Sequence, residues 1–306
     1  MIATEVSKTS KAISRIRRVD CKLIAAFAAI YILWGSSFLA IRIAVQLIPP
    51  WLAAGTRFFT AGFILYAFAR LRGEAAPTWR EWRGLALLGC LMFVITYGAL
   101  FWAEQVVPSG VTSVLEATLP LLTMVLEVFV LRRQRFRWSL LVAVALGFGG
   151  IGLMLFRNSG QQFAGLPCLV ILGGSASWSL GSVLTRSLPL PSSRALTAGA
   201  EMLLGGAGLL TLSLASGELH SLHDVPAKAI WAVLYLIVAA SLVAFTAYVW
   251  LLGRKPATLV ASHAYVNPIV AILLGHFLGG EVITARTLEG AAIVILSVAL
   301  TLRPAK

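Results

Sequence analysis

The chain has 306 residues, 59% of them apolar and only 12% charged, with 25 Lys and Arg against 12 Asp and Glu. A water-soluble domain carries about 45–50% apolar and about 25% charged residues, so too little polar surface is present to cover a core; this excludes an ordinary cytosolic protein, a disordered chain and a secreted disulfide scaffold. The net charge of +13 would suit nucleic acid, but the basic residues fall in short clusters between long apolar runs, and nucleic acid is excluded as a partner.

Residues 1–21 form a basic N-terminal arm. A bilayer core about 30 Å thick needs about 20 apolar residues as helix. Such segments run at 22–41, 51–69, 84–103, 109–131 and 138–156, and again at 164–184, 194–215, 228–252, 257–279 and 286–302. The expected fold class is an all-α membrane protein of ten transmembrane helices. The first apolar stretch is longer than the 7–15 residues of a secretory signal, and no small-residue cleavage site with a polar sequel follows. It is expected to be a retained helix. The connections are too short for a soluble catalytic domain. The three cysteines, Cys21, Cys90 and Cys168, have no metal-ligand spacing. They are read as unpaired packing residues, with no metal and no cofactor expected.

Basic residues set orientation, because cytoplasmic loops are enriched in Lys and Arg. With the N-terminus inside, 20 basic residues fall on the inner side, from Lys8 through the clusters at Arg70, Arg132, Arg186 and Arg254 to Lys306. Four fall outside: Arg42, Arg157, Lys228 and Arg286. Both termini are therefore expected in the cytoplasm.

The two halves repeat. Trp34 and Arg42 map onto Trp178 and Arg186 at an offset of 144 residues, as do Arg57 onto Glu201 and Gly62 onto Gly206. Pro108 and Pro120 map onto Pro256 and Pro268 at an offset of 148, with the four extra residues assigned to the loop over 220–226. Each half holds five spans, an odd number, so the second half enters from the opposite side. The expected division is residues 22–158 and 159–306, two inverted five-helix repeats. Many secondary transporters are built this way, with the substrate held near the midplane between the halves.

The motif Tyr31 to Ser37 (YILWGSS) with Arg42, Arg57-Phe58 with Ala61-Gly62, Val107 to Gly110 (VPSG), and Ala264 to Pro268 (AYVNP) with Gly279-Gly280-Glu281 resemble the EamA-type drug/metabolite transporters. The resemblance covers about residues 22–302. It implies a central cavity lined by helices 1, 3, 4, 6, 8 and 9, and export of amino acids, their derivatives or other small metabolites. The first half departs from the pattern, reading Leu131-Arg-Arg-Gln-Arg135 where many relatives carry a Gly-Glu like that at Gly280-Glu281.

Pro120 and Pro268 lie twelve residues beyond the helix-start prolines, about 18 Å deeper, where each removes a hydrogen bond to the carbonyl four residues back. They are candidate gating hinges, against a static kink. Glu116 is the most informative charge, since an acidic residue at helix centre usually marks a pathway or a proton relay. Its repeat neighbourhood holds His263; the plain alternatives are a protonated Glu116 bonded to a neighbouring helix and a neutral packing histidine. Arg57 and Glu201 are expected to be structural, by snorkelling or pairing within the bundle, Glu127 to form an interfacial pair near Arg132, and Glu104 to be solvated. Trp34, Ser37, Tyr97, Trp102, Trp178, Tyr248, Tyr265 and Asn267 complete the expected substrate pathway, because an aromatic pocket with few polar groups suits a small, partly apolar metabolite. Gly147, Gly149, Gly150, Gly152, Gly205, Gly206 and Gly208 read as close helix packing.

No phosphate-binding loop, nucleophile motif or metal cluster is present, so the chain is not expected to be an enzyme. The reading is a secondary transporter of the bacterial inner membrane, exporting by alternating access with proton coupling left open. An uptake carrier and a membrane enzyme acting on a lipid-linked substrate, for which residues 218–224 are the weak candidate, are the alternatives. The expected partners are a small metabolite and the lipid bilayer; a homodimer stays open.

Overall fold

The structure is a computed structural model that describes residues 21–130, 138–155, 165–222, 224–252, 254–255, 260 and 262–301. The N-terminal arm before Cys21, Arg132, Arg133, Arg135, Arg137 and Pro256 lie outside the described residues. The described chain is helical: α1 Cys21–Val45, α2 Pro50–Leu71, α3 Trp79–Ala103, α4 Ser109–Val130, α5 Trp138–Leu155, α6 Gly165–Leu184 and α7 Arg194–Ala215. It continues with α8, formed by Ala227–Tyr235, Leu236–Ala244 and Phe245–Leu252, then α9 His263–Phe277 and α10 Ala285–Thr301. Seven of these helices are long and apolar enough to cross a membrane, and Leu141–Leu153 and α9 are shorter apolar helices.

Local chemistry sets the helix ends. Pro50 and Pro108 sit where a missing N–H costs nothing. Thr78 and Glu81 exchange bonds at the start of α3, the Glu81 Oε2 accepting the Thr78 N–H at 2.7 Å. Gly73 and Gly217, 144 residues apart, terminate α2 and α7 at φ of 88° and 75°, where a side chain would be strained. Large apolar side chains such as Phe63, Leu214 and Trp231 face outward. In water that would be an aggregating surface; in lipid it is the solvated one.

The centre of the bundle is the α2–α7 contact. A Cβ on Gly62 would meet the backbone of Leu203, and one on Gly206 the backbone of Phe59. Likewise Gly55 faces Leu210 and Gly199 faces Tyr66. Each contact is its partner's image at the 144-residue offset, as expected for a self-complementary two-fold interface. Advancing along α2 from Gly55 to Tyr66 means retreating along α7 from Leu210 to Gly199, so the two helices run antiparallel.

The main helix pairs around the α2–α7 contact follow the same symmetry. Helix α1 lies against α8 and α9, while α6 lies against α3 and α4; α4 meets α9, and α5 meets α10. Exchanging the halves leaves this pattern unchanged. In the α5–α10 pair, Gly150 faces the Gly290 carbonyl, with 2.8 Å left for a Cβ, and Gly147 faces Ser297. Gly149 and Gly152 were expected in that contact but face open space. Four glycines within six residues cannot all lie on one helix face, so only two reach the partner.

Connections from opposite halves meet at shared ends. The Glu218 carboxylate, from the α7–α8 loop, accepts the N–H groups of Trp51 at 3.2 Å and Leu52 at 2.8 Å. The Glu281 carboxylate, from the α9–α10 loop, accepts those of Ser109 at 2.7 Å and Gly110 at 3.2 Å. Each satisfies two N–H groups that a helix start leaves without partners, with favourable charge for that helix end. Gly280, at φ 67°, lets the chain reverse so that Glu281 points back at α4.

Candidate substrate site

Two aromatic clusters flank the interface between the halves. In one, Trp34 of α1 lies 5.1 Å from Tyr248 and 4.9 Å from His263, ring centre to ring centre. In the other, Trp178 of α6, the repeat partner of Trp34, stands edge-on to Phe93 and Tyr97 of α3, both at 5.9 Å.

Both clusters rest on π-helical turns. The Gly89–Ile95 segment of α3 and the Leu236–Ala244 segment of α8 occupy equivalent places in the two halves. A π-turn perturbs the backbone hydrogen-bond ladder and is often found at functional sites. Here the Ala240 carbonyl accepts Trp34 Nε1–H at 3.0 Å, and the Leu91 carbonyl accepts the Ser177 hydroxyl at 2.8 Å. Each π-segment thus holds the first helix of the other half.

Helix α4 is interrupted between Glu116 and Leu119, just before Pro120. The Thr118 hydroxyl donates to the Leu115 carbonyl at 2.6 Å, a back-bond of the kind that bends helices. Ser175 and Ser179, one turn apart on α6, face this break: Ser175 donates to Glu116 Oε1 at 2.8 Å and Ser179 to the Leu119 carbonyl at 3.2 Å. Pro268 instead lies inside an unbroken α9. The two expected hinges are therefore not equivalent: among the described residues, only the α4 proline follows directly on a break.

His263 opens α9 beside Trp34 and Tyr248, in a different cluster from Glu116. Asn267 is buried one turn below; oriented to satisfy both ends of its amide, its nitrogen donates to the Tyr31 and His263 carbonyls at 3.3 and 3.1 Å. Ser37 bonds back to the Trp34 carbonyl at 2.7 Å, while its neighbour Ser36 reaches Tyr235 Oη at 2.6 Å. Trp102 is 37% exposed on the outside of the bundle, and Tyr265 donates to the Val298 carbonyl of α10 at 3.2 Å. These two stand apart from both clusters.

The charges follow expectation only in part. Of the two arrangements expected for Arg57, it does not snorkel but bonds within the bundle: it is 3% exposed, its Nε donates to Ser241 Oγ at 3.0 Å, and its guanidinium lies over the Phe58 and Tyr97 rings at 4.5 and 5.3 Å. Glu201 is buried too. Glu104 is not solvated but fully buried, and Arg42 donates to the main-chain carbonyls of Glu104 and Val107 at the end of α3. Glu127 pairs with Arg186 at 3.0 Å; Arg132, its expected neighbour, lies outside the described residues. All three cysteines are free. Phe58, Phe93, Ser175 and Ser241 are contributors that sequence reasoning missed. The π-segments that present Phe93 and Ser241 have no readable sequence signal.

The model of the EamA-like transporter family matches the chain twice, over residues 22–156 and 165–303. The chain belongs to that family. The two matches coincide with the two halves that the packing relates. The inner membrane transporter YedA of Escherichia coli K12 is 39% identical over 284 residues, covering 91% of this chain and 90% of its own length. A protein of Salmonella typhimurium LT2 named as a probable amino-acid metabolite efflux pump is 27% identical, covering 87% of this chain and 90% of its own. A solved structure described only as "Crystal structure of protein" aligns over 92% of this chain and 97% of its own, with a TM-score of 0.59 at 19% identity. That likeness concerns the fold. The chain is thus a multi-pass membrane transporter of the EamA family.

Proposed function

We propose that this chain is an inner-membrane secondary transporter that exports amino acids, their derivatives or related small metabolites by alternating access. Its ten spans form two inverted five-helix repeats, residues 22–158 and 159–306, with both termini in the cytoplasm. The observation that carries this reading is the exchange symmetry of the packing around α2 and α7, with an antiparallel central pair and an aromatic cluster on each side. Two related halves have two equivalent ways to tilt against each other, which open a shared site first to one face and then to the other. The cargo class is supported by the efflux-pump name of the Salmonella relative and by the aromatic walls.

Glu116 is the proposed coupling group. It sits at the break of α4, bonded to a single α6 hydroxyl, where a small helix movement changes its surroundings. The test of the function is efflux of radiolabelled amino acids and toxic analogues from cells overproducing the chain. Faster efflux of at least one compound than from cells carrying an inactive Trp34→Ala/Trp178→Ala double variant is expected. Equal efflux across the panel contradicts the reading.

A further inference from the structure

Arg57 is a buried cation whose hydrogen-bonding groups are only partly satisfied. It is 3% exposed, its Nε is held by Ser241, and its Nη1 is buried with no hydrogen-bond partner. Among the described residues no carboxylate lies within ion-pair distance of it. A buried cation left in that condition is expensive, and in membrane interiors such charges mark ligand or ion pathways. Its position is fixed: Ser241 anchors one edge of the guanidinium, and the Phe58 and Tyr97 rings lie against its face. Tyr97 in turn contacts Trp178, and Ser241 adjoins Ala240, whose carbonyl holds Trp34. The guanidinium is thereby tied to both aromatic clusters.

We propose that Arg57 binds the carboxylate of the transported substrate, with Nη1 as the donor and the neighbouring rings as the wall for an apolar side chain. This rests on the amino-acid-like cargo proposed above and narrows it to carboxylate-bearing molecules. A guanidinium suits that task, since its planar donors match carboxylate geometry and it stacks on aromatic faces. Glu104, at the end of the helix that carries Tyr97, has both its carboxylate oxygens buried without hydrogen-bond partners. An incoming zwitterion brings an acceptor for the Arg57 Nη1 donor and a donor for the Glu104 carboxylate, both of which lack partners. The repeat partner of Arg57 is Glu201, so the two-fold is broken here: the anchor belongs to one half only.

The experiment is ligand-induced thermal stabilisation of the detergent-purified protein, using matched pairs: L-leucine, L-phenylalanine and L-threonine, each against its amide, which keeps the ammonium and side chain but lacks the carboxylate. Wild type should be stabilised by at least one acid at concentrations about 10–100-fold lower than its amide, the span that a hydrogen bond to a charged group implies. Arg57→Gln should respond to acid and amide alike. Arg57→Lys, which keeps the charge but not the fork, should retain the preference for the acid at reduced affinity, and it serves if the Gln variant does not fold. A wild type with no preference in any pair overturns the proposal. So does an Arg57→Gln variant that is less stable but keeps the preference, since its role is then structural. Counterflow of the same acids is measured separately in vesicles: binding with preference but no transport sinks the export reading and leaves the anchor standing.

Discussion

Placing a methyl group at Gly206 tests the central contact of the fold. A Cβ there would meet the backbone N and Cα of Phe59, and backbone cannot swing aside as a side chain can. Forcing an extra carbon into a filled contact costs about 1–3 kcal/mol. Alanine returns up to about 1 kcal/mol through its better helix propensity, which leaves a net loss of up to about 2 kcal/mol. That corresponds to a shift of up to about 30-fold in the folded ratio. Gly149 is the control, since nothing lies within 4 Å of its Cβ position; Gly149→Ala carries only the propensity gain and should be neutral or stabilising. Gly62→Ala, the repeat image, should behave as Gly206→Ala. The assay is survival of the monodisperse species on size exclusion after heating in detergent. Equal midpoints for Gly206→Ala and Gly149→Ala, or a lower one for Gly149→Ala, would refute the two-fold contact.

Pro120→Ala restores a backbone donor beside the break in α4 and should slow export per folded protein more than it lowers yield, whereas Pro268→Ala, in an unbroken helix, should do less; a full export rate for Pro120→Ala removes the hinge. Glu116→Gln keeps an acceptor for the Ser175 hydroxyl but cannot titrate, so efflux from proteoliposomes should lose its pH dependence while substrate binding persists; an unchanged pH response excludes Glu116 as the coupling group. Reporter fusions after Pro304 and after Ser159 should read cytoplasm and periplasm respectively, and the reverse at either site contradicts the orientation drawn from the basic residues.

Most of the helices were legible because they are long apolar runs, and lipid demands little else of a span; α2, α4 and α7 also carry a proline or a left-handed glycine at an end. Trp34 and Trp178 were legible because the repeat duplicates them. What escaped depends on contacts remote in sequence. Glu218 and Glu281 cap helices that start about 170 residues away in the chain, and no local pattern announces a cap supplied from the other half. Glu104, at the end of its span, reads as solvated, and only the packing of the folded chain buries it. Arg57, about one turn or two inside its helix, had a short route to the interface, and only the packing of α2 against α7 and α8 turns it inward. The π-turns of α3 and α8 are composed of ordinary apolar residues, so the carbonyls they offer to Trp34 and Ser177 were invisible in the sequence. Gly149 and Gly152 show the converse: glycine composition suggested a contact that helix geometry gives only to Gly147 and Gly150.

Counterflow in proteoliposomes containing only this protein tests the central claim most directly. Vesicles are loaded with an unlabelled amino acid or analogue at high concentration, and uptake of the labelled compound at trace concentration is followed with no gradient other than its own. An alternating-access carrier should show transient accumulation of label above equilibrium for at least one compound, abolished in the Trp34→Ala/Trp178→Ala protein. Label that merely equilibrates for every compound, in vesicles whose protein is folded and correctly inserted, would contradict the account.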